Sequence, residues 1–380
     1  MHEKEYGKLT KGMYIHIPFC VQKCLYCDFA SWAGREHLQD TYVRKICSEI
    51  TKRSEERQLS ENATVYFGGG TPSLLTVLQL EKIIKQLKID NLWRNPSEVT
   101  LELNPGTADL NKMKSYRELG VDRVSIGVQS FNDQELQMVG RIHTAKEALQ
   151  AIEWAQEAGF QKINVDFIRG LPKQTVDSFE NNLQRALLAG VEHISVYDLL
   201  VEDGTALSDL VENKKIVLPT EDEVDTMYEL TLSILEAAGY SHYEISNFAL
   251  PGKESQHNLV YWRYQPYIAF GSSACSFNGW QRQTNARTIE SYLADLEPEI
   301  ERISARQKLA EYLFMGLRTR WGISLSAVRK EFKVDLIKEF GKELEPYIKN
   351  EMLIYNEPKD QLCLTELGFK FSNRIFEIFL

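Results

Sequence analysis

Met13-Tyr-Ile-His-Ile-Pro-Phe-Cys20-Val-Gln-Lys-Cys24-Leu-Tyr-Cys27 is a short apolar run followed at once by three cysteines within eight residues. The run Met13–Ile17 has the length and composition of a buried strand. The cysteines sit in the loop that follows it. Spacings of three and two residues let three thiolates reach three irons of one cubane cluster. Such clusters are usually held by four cysteines, but position 28 is Asp and position 29 is Phe. A [4Fe–4S] cluster on Cys20, Cys24 and Cys27 would therefore keep one iron open for a ligand. Cys24-Leu-Tyr-Cys27 alone also suits a thioredoxin-like redox pair, and a zinc site completed by His16 is a further alternative. Cys47, Cys275 and Cys363 stand singly and read as small buried apolar residues.

Outward from this loop, short apolar strands alternate with longer amphipathic segments as far as residue 246. Candidate strands are Met13–Ile17, Ala63–Phe67, Glu98–Leu103, Arg123–Val128, Lys162–Ile168, His193–Leu199 and Tyr240–Ile245. Thr144 with Glu147 and Thr220 with Glu223 have capping-box spacing at helix starts, as does Asn132 with Glu135. Gly120, Gly159, Gly190 and Gly239 each end a helical run just before a strand, where positive φ is often needed. The repeated helix–Gly–strand unit predicts an α/β fold with a parallel sheet, a partial (β/α)6 barrel in preference to an open doubly wound sheet.

Past residue 246 the pattern changes. Residues 247–304 are expected to form a loop-rich connector. From Ala305 a smaller unit follows: Leu309, Leu313 and Leu317 form a helical stripe, and Met352–Tyr355 with Gln361–Leu364 read as a hairpin. Helices followed by a hairpin suggest a winged-helix-like domain over residues 305–380. The expected division is thus 1–246, 247–304 and 305–380.

Composition narrows the function classes. The 380 residues carry a formal net charge of −10, which argues against a general nucleic-acid binder. The start, Met1 to Lys8, is polar and lacks the apolar core of a secretory signal, and no transmembrane run is visible. A cytoplasmic protein with reduced thiols is expected.

The cysteine spacing after a first strand resembles the signature of the radical-SAM superfamily. Further stretches, in order, narrow the resemblance: Tyr14-Ile-His-Ile-Pro-Phe-Cys20, Phe67-Gly-Gly-Gly-Thr-Pro-Ser73, Glu102-Leu-Asn-Pro-Gly106, Ser125-Ile-Gly-Val-Gln-Ser-Phe131, Gly140-Arg-Ile-His143 and Asn164-Val-Asp-Phe-Ile-Arg-Gly-Leu-Pro172. Together they look like the branch containing oxygen-independent coproporphyrinogen III dehydrogenase and the HemW-type heme chaperones. The resemblance implies that S-adenosylmethionine (SAM) binds the open iron. It carries SAM contacts over to Tyr14, Tyr26, Gly69, Gly70, Thr71, Glu102, Gln129, Arg141 and Asp166. The Gly-Gly-Gly-Thr turn is expected to offer backbone amides to a ligand carboxylate, and His16 to orient the cluster loop.

Within that branch three features favour the chaperones. The dehydrogenase motif continues to a fourth cysteine where this chain has Phe29, and only 19 residues precede Cys20, too few for the dehydrogenases' N-terminal cover. His257-Asn-Leu-Val-Tyr-Trp262 matches the HNxxYW motif associated with heme. Imidazole is a common axial ligand, so His257 is the expected heme-iron ligand, with Tyr261 and Trp262 against the porphyrin. A hydrogen-bonded structural histidine is the alternative for His257. The resemblance thus implies a SAM-ligated [4Fe–4S] protein that binds heme and passes it to an acceptor, a respiratory protein at the inner face of the membrane. A homodimer would be in keeping. No catalytic residue is singled out, and coproporphyrinogen turnover is the alternative function.

Overall fold

A computed structural model describes residues 9–56 and 59–380. The polar start Met1 to Lys8 lies outside the described residues. Six strands, β1 (Thr10–Ile17), β2 (Leu59–Gly69), β3 (Val99–Leu103), β4 (Arg123–Gln129), β5 (Ile163–Arg169) and β6 (His193–Asp198), pair in parallel in chain order. Each is followed by a helix: α1 (Gln39–Arg53), α2 (Val77–Ile89), α3 (Leu110–Leu119), α4 (Ala145–Glu157), α5 (Val176–Leu188) and α6 (Glu221–Ala237). Six β/α units in an unclosed sheet are the expected partial barrel.

Local chemistry explains the punctuation. Thr144 with Glu147 and Thr220 with Glu223 close reciprocal capping boxes. Gly120, Gly159, Gly190 and Gly239 all have positive φ. Asn132 does cap the short helix that follows it, but Glu135 turns inward to Ser130, Gln174 and Ser178 instead of back to the cap. A buried carboxylate with three donors in reach leaves the cap to Asn132 alone.

Alternation along each strand separates two environments. On β1, Met13, Ile15 and Ile17 are buried against the helices, while Tyr14 and His16 belong to the lumen side. Helix α5 meets the sheet with Phe179, Asn182, Leu183 and Ala186, a spacing that follows one helical face. Complete burial of a side chain such as Leu183 is worth roughly 1.5–3 kcal/mol.

Two expectations are corrected. The strand Tyr240–Ile245 is not a parallel member. It forms β7 (Ser241–Glu244), which turns back on β8 (Asn247–Ala249) at an antiparallel edge beside β6. Residues 247–304 are not loop-rich. They contain helix α7 (Gln256–Trp262) and β9 (Tyr267–Phe270), which pairs in parallel with β1 on the opposite edge. Strands β10 (Cys275–Phe277), β11 (Gln281–Thr284) and β12 (Glu299–Arg302) extend the same sheet in antiparallel fashion. These strands are short and rich in polar residues, so periodicity leaves them indistinct, whereas pairing in series outward from β9 supplies their backbone partners.

A second hydrophobic cluster begins at Leu309 and ends at Phe379. It is built on α8 (Ala305–Leu317), α9 (Leu325–Phe332), α10 (Leu336–Lys349) and a three-stranded sheet. That sheet contains the expected hairpin, with Asn356 opposite Gln361, and adds Ile323–Ser324 beside it.

Candidate cluster and cofactor site

The C-terminal ends of β1 to β6 open into one cavity of about 650 Å³. Cys20, Cys24 and Cys27 all line it. Each sulfur has a polar neighbour suited to a thiolate: Thr71 Oγ1 donates to Cys20 at 3.7 Å, Arg141 Nη1 to Cys24 at 3.5 Å, and Ser31 Oγ lies 3.9 Å from Cys27. Burial pushes the Cys20 and Cys27 thiols above their ordinary pKa. No three His, Cys, Asp or Glu among the described residues converge closely enough to hold a single metal ion. His16 is no fourth ligand: Nδ1 meets the Tyr14 hydroxyl at 3.0 Å and Nε2 meets Ala30 O at 2.8 Å. The second of these bonds ties β1 to the loop after the cysteines, the orienting role expected of His16. Three sulfurs lining one cavity are a set that a polynuclear cluster with an open corner would use.

The other expected SAM contacts gather here as well. Tyr26, Gly69, Gly70, Thr71, Glu102, Gln129, Arg141 and Asp166 all line the cavity, and Tyr14 lies beneath it, stacked on Tyr66 at 6.1 Å. Burial pushes the Glu102 carboxyl up to about 7, although it accepts from Tyr66 Oη at 2.7 Å and from Gly69 N at 3.1 Å. Asp166 is also raised by burial and accepts from Asn164 and Ser125. Such carboxylates favour a cationic ligand, which would restore their charge. Gln129 ends β4 at φ +65°, a strained conformation for a non-glycine that is tolerated here at the cavity wall.

The glycine turn works differently from expectation. Gly69 N donates to Glu102 and Gly70 N to Ile17 O, so neither amide is left for a ligand carboxylate. What the glycines supply is close approach. A Cβ at Gly70 would lie 2.7 Å from Phe19 O and 3.0 Å from Cys20 Sγ, and one at Gly69 would meet His16 at 2.6 Å.

His257 lies elsewhere. Helix α7 closes the opposite end of the lumen. His257 is buried there with Nδ1 2.7 Å from Thr64 Oγ1 and Nε2 2.8 Å from Tyr261 Oη. Its ring stacks on Tyr66 at 4.9 Å, and burial lowers its pKa to about 3. Neither nitrogen is free for iron, because the two hydroxyls satisfy both; this is the hydrogen-bonded arrangement that competed with the ligand reading. Tyr261 meets the same ring edge-on at 5.0 Å, while Trp262 packs against Tyr243, Ala249 and Leu259 with Arg318 over its ring at 4.3 Å.

Sequence reasoning missed Asn104, Ser125, Asn164, His193, Ser195 and Tyr197, which also line the wall. Their signal is the i, i+2 spacing with the residues already chosen, as in Asn164 with Asp166 and Ser125 with Gln129 through Gly127.

Fold and site together define a radical-SAM barrel: a partial (β/α)6 sheet whose first loop holds three cysteines over the lumen. The Radical SAM superfamily pattern matches residues 14–186, and the HemN C-terminal domain matches residues 303–371. The heme chaperone HemW of Lactococcus lactis is 34% identical over 375 residues, covering 97% of this chain and 96% of that protein. The heme chaperone HemW of Bacillus subtilis is 34% identical over 378 residues, covering 97% and 99%. With relatives this similar along nearly their full length, the chain belongs to the HemW family of the radical-SAM superfamily. Among solved structures, coproporphyrinogen III oxidase (HemN) from Escherichia coli matches with a TM-score of 0.84 at 22% identity, over 99% of this chain and 91% of that one, a likeness of fold.

Proposed function

We propose that this protein is a heme chaperone that holds a [4Fe–4S] cluster on Cys20, Cys24 and Cys27 and hands heme to an acceptor protein. The observation that carries the reading is the near-full-length similarity to proteins named for that activity. The site supports it on two counts. Phe29, 65% exposed at the cavity mouth, stands where the dehydrogenase pattern has a fourth cysteine. The three cysteines each keep a polar neighbour that suits a thiolate.

A bound cluster with SAM on its open iron would supply one-electron chemistry at the mouth of the lumen. The chain's own residues do the holding. Thr71, Arg141 and Ser31 lower the cost of charge on the sulfurs. Glu102, Asp166, Tyr26, Gln129 and the close-packed glycines shape the SAM position, and Tyr14 supports it from below through Tyr66. His257 could ligate heme iron only after α7 leaves the barrel floor. In the same reading residues 1–246 carry the cluster, 247–304 carry the heme motif and 305–380 form the C-terminal unit. The acceptor is a respiratory protein met at the inner face of the membrane, and the chaperone acts as a homodimer. No described helix is long and apolar enough to cross a membrane.

The test is heme titration of the anaerobically reconstituted protein beside a coproporphyrinogen turnover assay. Saturable uptake near one heme per chain with no decarboxylation is expected. Turnover with SAM and reductant, without heme binding, would replace the chaperone reading by the dehydrogenase one.

A further inference from the structure

The outer end of the HNxxYW helix carries a feature the cluster site does not use. Trp262 and Arg263 close α7 and meet the turn Arg318–Gly322, which joins the second hydrophobic cluster to the barrel edge. Arg318 lies over the Trp262 ring at 4.3 Å, and Arg263 over the Trp321 ring at 5.9 Å. Arg320 binds Tyr243 O through its backbone N–H at 3.0 Å, and its guanidinium reaches Ser241 on the same face of β7. Trp321 lies 6.3 Å from the Tyr243 ring and is 43% exposed.

Charge sets this patch apart. The chain as a whole carries −10, yet two exposed arginines flank one exposed tryptophan here. Among the described residues no carboxylate forms an ion pair with Arg263 or Arg320; the nearby buried Glu244 pairs with Arg318 at 3.6 Å. Beneath this patch, Trp262 Nε1 and Arg318 Nε are buried donors without a partner among the described residues.

We propose that heme docks on this outer patch, its carboxylates on Arg263 and Arg320 and its face on Trp321, outside the barrel. The inference rests on the heme-chaperone reading and places the heme. Guanidinium is the cation best matched to a carboxylate, and a tryptophan ring covers an apolar macrocycle. The motif then works through its Trp262–Arg263 end, while His257 keeps the lumen floor closed. His242, the nearest imidazole of β7, is engaged by Glu366 and Ile245 O. With no free nitrogen to grip the iron, the patch suits a cargo that must be released.

The experiment titrates heme, and heme with both carboxylates esterified, into four proteins: wild type, Arg263→Glu with Arg320→Glu, Trp321→Ala, and His257→Ala. Absorbance and tryptophan quenching report binding, and urea unfolding verifies the fold. Heme affinity should fall about tenfold or more in the arginine double variant, with cluster content unchanged. Esterified heme should bind wild type and double variant alike. Arg263→Ala with Arg320→Ala replaces the charge reversal if that variant unfolds. Wild-type affinity in the arginine variants, with heme lost only in His257→Ala, would overturn the patch and leave the chaperone reading standing. No saturable heme uptake by wild type would overturn both.

Discussion

The substitution Glu102→Gln should change how the stability of the iron-free protein depends on pH. The carboxyl lies in the cavity wall, and burial raises it from an ordinary 4.5 to about 7. The folded state therefore holds a proton that the unfolded chain releases at lower pH. Stability from this group is fully present below about pH 4.5 and is lost as pH rises through about 7. At about 1.36 kcal/mol per pH unit, the interval amounts to at most about 3 kcal/mol, since the cavity admits solvent. A side-chain amide at this position removes the proton dependence. It also weakens the paired acceptance from Tyr66 Oη and Gly69 N, a pH-independent cost of about 1 kcal/mol. Urea unfolding of both iron-free proteins at several values between about pH 5 and 8 measures the difference. The variant should be the less stable at the acid end and gain on wild type as pH rises. A wild-type-minus-variant difference that stays flat across the range would refute the raised carboxyl.

Three further outcomes are expected. Cys20→Ala should lose the cluster's visible absorption, and wild-type reconstitution should improve as pH rises above neutrality, because burial raises the Cys20 and Cys27 thiols and loading must displace their protons; iron and sulfide content check both. Gly70→Ala should keep the fold but retain little cluster, since its Cβ would press on Phe19 O and Cys20 Sγ; full iron content would refute that close approach. Gly322→Ala, at φ +59° with its Cβ 2.1 Å from Leu362 O, should destabilise the C-terminal unit by about 2 kcal/mol or more, measured by urea unfolding.

The barrel was legible because its signals are local. Capping residues at Thr144 and Thr220 and terminal glycines at 120, 159, 190 and 239 act on their own helices, so their spacing survives in the chain as written. The strand Tyr240–Ile245 was legible as a strand but not as an antiparallel edge, because β-pairing direction depends on where the chain turns next. Strand β9, beside β1 across more than 240 residues of sequence, was not legible at all.

The same division holds for the site. The sequence by itself brought the three cysteines together, since three thiols in one short loop must share a neighbourhood. It also pointed to part of the cavity wall, since residues at the C-terminal ends of parallel strands converge by geometry. Only the tertiary structure decided that Gly69 and Gly70 serve packing and that Glu102 takes the Gly69 amide. It alone placed His257 on the barrel floor with both nitrogens engaged, and brought Arg263 beside Trp321. Each of these depends on which distant group fills a hydrogen bond or lies over a ring. A motif records residue types and spacing, but not which partner the folded chain will bring to them.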